Sequence, residues 1–398
     1  MNHYDVIIAG AGPVGGYIAK TLAHAGYHVA LMEEHKRPGY PLHCAGLVNP
    51  RVLKLTNLDD TCIQNKIFGA TIHAPSGKTL TLGGNQIHAA VIDRPKFDAT
   101  IVNHAKKEEV DILLETKLVA TRRTLKNITV QTQHHTQTLT NTCDLLIGAD
   151  GARSTVRNLF QFPQPREMLQ GIGADITDLA IDPKQVHIFV GAHIAPGFFA
   201  WIIPTNPKGT TARAGVCTTH PSSHPTKYYF TQLFTHPASA HLLHKSHVLS
   251  YTAGMIPLGP LKKTTDTHVM IVGDAAAQVK PTSGGGLYTG LLCAHHCADV
   301  ALEALQHKQF TQKTLKKYHS LWTADIGKEL QLGMRFRRIF TRLSDTRLNQ
   351  YITKFDNPKI IDVINTYGDI DYPSKLVIPL LKTMPSLLCF LPFLKKNK

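Results

Sequence analysis

The stretch Ile271–Gly290, IVGDAAAQVKPTSGGGLYTG, decides how this chain is read. A short apolar strand, Val269–Val272, runs into Gly273-Asp274, then small residues, Pro281 and three consecutive glycines that open a predicted helix. Such a string suits a backbone that must touch a large, flat, polar-edged ligand. Glycine lets the main chain approach closely, a helix start offers unpaired N–H groups, and one carboxylate can receive a sugar hydroxyl.

Two distant segments extend the pattern. At the N-terminus Tyr4–Ala9 reads as a buried strand, followed at once by Gly10-Ala-Gly12-Pro-Val-Gly15. An Ala/Leu-rich helix from Gly16 to about Ala25, a Gly26 stop and a second strand, Val29–Met32, lead to Glu33-Glu34. Strand, glycine turn, helix, strand and acid in this order form the dinucleotide fingerprint. Gly10 permits the tight turn, Gly12 admits a pyrophosphate, Gly15 lets helix and strand pack closely, and Glu33 is placed to accept from a ribose. In the second segment, Cys143–Arg157, an apolar strand ends in Asp150-Gly151 and polar and basic residues follow. Asp-Gly favours a turn anywhere; the ordered set of three segments is what discriminates.

That set resembles the FAD-binding pattern of the para-hydroxybenzoate hydroxylase superfamily. The resemblance implies an α/β fold: a Rossmann-type FAD-binding domain with an inserted antiparallel-sheet substrate domain and a C-terminal helical region. It also implies that Glu33 holds the adenine-side ribose and Asp274 the ribityl chain. Gly284, Gly285 and Gly286 then face the pyrimidine edge of the flavin, and Asp150 and Arg94, the latter in VIDRPKFD, lie at the cofactor.

With 398 residues the chain can bury one large core or two fused ones. A strand beginning by Tyr4 leaves no room for a secretion signal. Seven scattered cysteines without a CxxC pair favour a reduced, cytosolic chain over a disulfide scaffold or an iron–sulfur protein. The net charge of +15 suggests an anionic partner, a membrane surface or a phosphorylated substrate, or else merely a soluble basic surface. No compact basic cluster interleaved with aromatics speaks for nucleic acid. Two histidine groupings, His241-x-x-His244-x-x-His247, whose spacing would share one helical face, and Cys293/His295/His296/Cys297, lack zinc-site spacing, and no metal is expected.

The dispersed motifs predict a discontinuous FAD-binding domain from residues 1–60, 88–165 and 262–310. Alternating strands such as Gln185–Val190, Phe199–Ile203 and Thr211–Thr218 predict a substrate sheet from 61–87 and 166–261, with a hairpin over Phe68–Ile87. Residues 311–398 form the helical region. Its apolar tail, Lys375–Leu394, approaches a membrane span in length, but Pro379, Lys382, Pro385 and Pro392 interrupt it. It suits lying in a membrane interface or packing on its own domain.

Two further strings bear on chemistry. Pro41-Leu-His43-Cys44-Ala-Gly46 follows the Glu33 strand, and Pro196-Gly-Phe198-Phe199-Ala-Trp201-Ile-Ile-Pro204 lies in the substrate sheet. Together they resemble the geranylgeranyl reductase family, especially archaeal members acting on membrane lipids. That family carries P-x-x-Y-x-W-x-F-P and a cysteine loop beside the flavin; here Phe199 replaces the tyrosine and Ile203 the phenylalanine. The resemblance implies an FAD-dependent reductase of isolated prenyl double bonds, drawing electrons from NAD(P)H or a ferredoxin. The substrate is a prenyl-chain lipid taken from the cytoplasmic face of an anionic membrane. Positive charge develops on carbon during hydride transfer, so Phe198, Phe199 and Trp201 would line the substrate and Phe199 and Trp201 stabilise the charge. Cys44, protonated at its ordinary pKa of ~8.5, could supply the proton, or could be a small packing residue. The alternative for the aromatic string is an ordinary strand core. The same scaffold carries flavin monooxygenases and halogenases and quinone-reducing electron relays, which remain alternatives.

Overall fold

The computed structural model describes residues 1–219 and 221–390. An eight-stranded sheet runs in the order Thr265–Asp266, Val269–Ile271, Gln137–Gly148, His3–Ala9, Val29–Met32, Asp111–Leu113, with Ile128–His134 and Thr116–Arg123 continuing antiparallel from the long Gln137–Gly148 strand. The central strands are parallel and apolar on both faces, as a sheet covered on both sides requires. Their register decides where the ligand goes. Ala9 pairs with Gly148 and with Met32, and Gly148 with Ile271. Four strands therefore stop at one level, and Gly10, Glu33, Asp150 and Asp274 leave the sheet along the same edge. Ligands of open parallel sheets bind beyond such carboxyl ends.

One face of this sheet is packed by the helices Pro13–His24 and Leu287–His307, with Leu22, Ile18, Cys293, Cys297 and Ala301 fully buried between them. Cys293 and Cys297 are thus core residues. The second sheet has seven strands, in the order His247–Leu258, Glu167–Thr177, Thr211–Thr218, Ala195–Pro204, Gln185–Gly191, Gly69–His73, Thr79–Gly83. It is antiparallel except between Gln185–Gly191 and Gly69–His73. One of its faces is covered by the short helices Thr226–Gln232 and Ala240–Leu243. The other carries Leu169, Phe198, Cys217 and Leu258 against Val279 and Met334.

Two differences from the sequence reading stand out. Residues Ile63–Ile67 do not join the substrate sheet but pair with Ala89–Ile92, which also pairs with Leu47–Val48, in a small third sheet. The break falls where Phe68 N and Gly69 N both turn to Lys184 O, far along the chain, so the chain changes partners there. Likewise His241, His244 and His247 share no helical face, because the helix ends at Leu243 and His247 begins the edge strand.

The C-terminal region continues as the helices Asp345–Phe355, Pro358–Tyr367 and Ser374–Thr383. The tail beyond residue 390, including its four closing residues, lies outside the described residues. No described helix is long and apolar enough to cross a membrane.

Candidate active site

The glycine turn after the first strand is built for close approach. Gly10 has φ +102°, and a Cβ there would lie 2.3 Å from Ala149 O; one at Gly15 would lie 2.0 Å from Gly10 O. At Gly12 and Gly151, by contrast, a Cβ would meet nothing within 4 Å. Gly12 also caps the helix Pro13–His24 without any side-chain cap, leaving its first N–H groups to face that open space. Two packed glycines and two open ones at the carboxyl edge form a cradle that fits a dinucleotide phosphate.

Glu33 is held by this turn. Its Oε2 accepts from Ala11 N at 3.0 Å, and its Oε1 accepts from His35 N at 3.1 Å and contacts His35 Nδ1 at 2.6 Å. Oε2, with a single donor, keeps an open acceptor position, so the acid is positioned rather than used up.

Asp150 and Asp274 differ. Asp150 accepts from Ser154 Oγ at 2.5 Å and from Val156 N at 2.9 Å, forming the start of the helix Thr155–Leu159. Burial pushes its carboxyl up, while Ser154 and the backbone donors oppose the rise. Asp274 is half-buried, and among the described residues none donates to its carboxylate. Burial pushes it up as well, with Arg94 opposing. A Cβ at Gly286 would come within 2.6 Å of Asp274 Oδ1, so this glycine leaves room for the acid. The helix Leu287–His307 begins there, again without a side-chain cap. A donorless carboxylate beside bare helix N–H groups fits the ribityl and pyrimidine groups of FAD.

Arg94 is the hub between these parts. Asp93 caps its helix by accepting from Lys96 N, and the guanidinium forks onto Asp98, with both bonds 3.0 Å. Burial works against the charge, but Asp98 and the facing Cys44 sulfur outweigh it and hold Arg94 well above its usual range. Burial also raises Asp98, with Arg94 opposing and nearby Glu33 reinforcing.

The half-buried Cys44 lies in a loop pinned from three sides. Gly46 N donates to its sulfur at 3.3 Å. His43 donates from Nδ1 to Ala253 O on the edge strand of the substrate sheet. Arg213, 8% exposed, donates from Nη1 to Ala45 O and Ile92 O, from Nη2 to Gln64 and from Nε to Asp175. The cysteine loop is therefore fastened to the seven-stranded sheet and, through Arg213, to the small third sheet.

The aromatic strand meets the glycine run. A Cβ at Gly284 would lie 3.5 Å from the Phe198 ring. Phe198 is 3% exposed, stacks on Phe199 with 4.3 Å between centroids, and lies 5.3 Å under the Arg337 guanidinium. Arg337 is itself buried and pairs with Glu167 at 2.7 Å. Phe198 thus serves as the wedge between substrate sheet and glycine run, while Phe199 and Trp201 stay half-exposed, edge-to-face at 6.2 Å. Trp201 Nε1 is buried without a hydrogen-bond partner among the described residues.

Arg213 and Arg337 lie in no motif of the sequence, and Asp98 and Arg157, although they close the VIDRPKFD and Cys143–Arg157 segments, carried no predicted role. Arg157 joins two of the turns, donating to Ala152 O and to Ala275 O. Ser154, placed just before the helix beginning at Thr155, is the one signal that could have disclosed Asp150's local role.

Comparison with known proteins agrees with this geometry. Residues 3–321 match the protein family described as FAD binding domain. An uncharacterised protein of Methanocaldococcus jannaschii is 29% identical, over 96% of each chain. Digeranylgeranylglycerophospholipid reductase 1 of Methanococcoides burtonii is 28% identical, over 87% of this chain and 86% of that one. Among solved structures, a geranylgeranyl bacteriochlorophyll reductase-like protein from Thermoplasma acidophilum superposes with a TM-score of 0.87, covering 99% of this chain and 100% of that one at 20% identity. That likeness shows a shared fold.

Proposed function

We propose that this chain, which belongs to the FAD binding domain family and is an FAD-dependent oxidoreductase, saturates isolated double bonds in the prenyl chains of membrane-lipid precursors. The observation that carries the reading is a convergence: Asp274, the glycine run, Phe198 and the Arg94–Cys44 contact meet where the two sheets face each other. When bound, reduced FAD supplies a hydride to one alkene carbon. The chain must then hold the substrate dry, tolerate cationic character on the other carbon, and deliver a proton to it. Phe199 and Trp201 offer half-exposed ring faces for the first two tasks. Cys44 offers the proton, and Gly46 N–H and Arg94 already face the sulfur to receive the charge left behind. Phe199, in the place of the family's tyrosine, brings no hydroxyl, and Cys44 is the acid of this proposal. A Cys44→Ala variant that keeps FAD and wild-type turnover would remove it from the mechanism.

The substrate's source is argued by the C-terminal helices. The helix Ser374–Thr383 buries none of its residues, though it carries Leu376, Val377, Ile378, Leu380 and Leu381, and Ile378 is 64% exposed. Lys375 and Lys382 flank this apolar surface. Such a helix suits the interface of an anionic membrane from which a prenyl lipid is drawn. Cosedimentation with anionic vesicles, lost on deleting residues 374–398, is expected; an intact chain that stays in the supernatant contradicts it.

The reductase reading is tested by mass spectrometry of lipid extracts from cells that make this protein and a prenyl glycerolipid. A gain of two mass units per reduced double bond is expected. Unchanged lipids, together with aerobic NAD(P)H consumption driven by an aromatic compound, would point to a monooxygenase or halogenase instead.

A further inference from the structure

Lys280 lies between the Gly273-Asp274 turn and the glycine run, and it is 8% exposed. Its Nζ pairs with Asp371 Oδ1 at 2.5 Å, across 91 positions of sequence. Asp371 is buried, and it is fixed from other directions: Arg51 Nη1 donates to its Oδ2 at 3.3 Å, and its own N–H donates to Asp369 at 3.0 Å. A buried ion pair is a poor route to stability. Desolvating each ion costs several kcal/mol, and well-packed apolar replacements are often as stable. The pair therefore asks for another reason.

Its position suggests one. Lys280 N donates to Gly285 O, and Gly284 N donates to Lys280 O, so the lysine and the glycine run close one turn. A Cβ at Gly285 would lie 3.1 Å from Lys280 Cε and 3.5 Å from Nζ. The ammonium thus rests directly on the glycine run, and any side chain at 285 would displace it. An ammonium has three donors; among the described residues only Asp371 accepts from this one.

We propose that Lys280, held by Asp371, is a positive charge set at the pyrimidine edge of FAD that favours the reduced cofactor. The inference rests on reading the glycine run as the flavin-facing segment. Hydride reduction leaves added negative charge on that edge, and a fixed cation within a poorly hydrated site favours the charged state.

The test is a reductive titration of the purified holoprotein beside a reference dye, for wild type, Lys280→Arg, Lys280→Met and the pair Lys280→Met with Asp371→Leu. The paired substitution removes both charges, so no carboxylate is left buried and unmatched should the single variant fail to fold. Loss of the ammonium is expected to cost about tenfold in the preference for reduced over oxidised flavin, which is about 30 mV for a two-electron couple. Lys280→Arg should keep the potential close to wild type. An unchanged potential in the paired variant, with FAD bound, overturns the proposal and leaves Lys280 a strut for the C-terminal segment. A wild-type protein that takes up no FAD would instead overturn the reading beneath it.

Discussion

Asp150 and Asp274 leave neighbouring parallel strands at one level of the same sheet, yet their carboxylates have opposite uses. Asp150 gives both oxygens to its own turn, accepting from Ser154 and Val156 N. Asp274 gives neither to a described residue, and the chain places a glycine where a side chain would crowd it. The contrast teaches that local donors decide how much of a strand-end carboxylate is left for a ligand. Asp274 keeps all of its acceptor capacity, whereas Asp150, and in part Glu33, spend theirs on the turns they hold.

The comparison can be broken most decisively at Asp274. Asp274→Ala should lower FAD affinity by about a thousandfold, ~4 kcal/mol, if two charge-assisted hydrogen bonds are lost. Flavin fluorescence during equilibrium binding measures this, and near-wild-type affinity would erase the distinction between the two turns.

A second test contrasts the two sheets. Where the cofactor edge holds carboxylates, the substrate sheet buries a histidine pair, His73 Nε2 and His187 Nδ1 at 3.1 Å, with His73 6% exposed. Burial, reinforced by His187 and His241, pushes His73 down to about 4. Its folded pKa lies below the ordinary 6.5, so the unfolded chain takes up the proton first. Stability from this group is complete above pH 6.5 and is lost as pH falls towards 4, by roughly 3 kcal/mol in all. Denaturant melts at pH 7 and pH 4 should differ less in a His73→Phe variant; an equal difference would show that the acid sensitivity lies elsewhere.

Asp150→Ala sharpens the comparison from the other side. Loss of its bonds to Ser154 Oγ and Val156 N should cost about 2 kcal/mol of folding stability. Its FAD affinity should stay within a few-fold of wild type once the protein is folded. A large affinity loss without a stability loss would restore Asp150 as a direct cofactor ligand, the role its motif implies.

The smallest effect is expected at Gly286. A methyl group there meets Asp274 Oδ1, and turning the carboxylate aside should weaken FAD binding about tenfold, ~1.4 kcal/mol. An unchanged affinity would mean that Asp274 has another way to face its ligand.

The parts of the fold that could be read in advance depend on short-range chemistry. Gly10–Gly15, Glu33, Asp150-Gly151 and the Ile271–Gly290 stretch carry their meaning in adjacent residues, because strand, glycine and acid must follow one another for the turn to form. Arg213 and Arg337 could not be read in this way. Their partners, Ala45, Ile92 and Glu167, lie 168, 121 and 170 positions away, and nothing in the local sequence distinguishes these arginines from solvated ones. The Lys280–Asp371 pair escaped for the same reason. Residues 63–67 were misassigned because alternation identifies a strand but not its sheet, and the partner change at Phe68 depends on the distant Lys184 O.

In the proposed reaction the cradle beside Asp274 holds a flavin whose electrons pass to a prenyl double bond. Anaerobic mixing of the chemically reduced protein with a digeranylgeranyl glycerophospholipid tests this directly. Flavin absorbance is expected to return as the lipid gains two mass units per flavin oxidised. A flavin that stays reduced beside unchanged lipid, and is reoxidised only when oxygen or quinone is admitted, would contradict it.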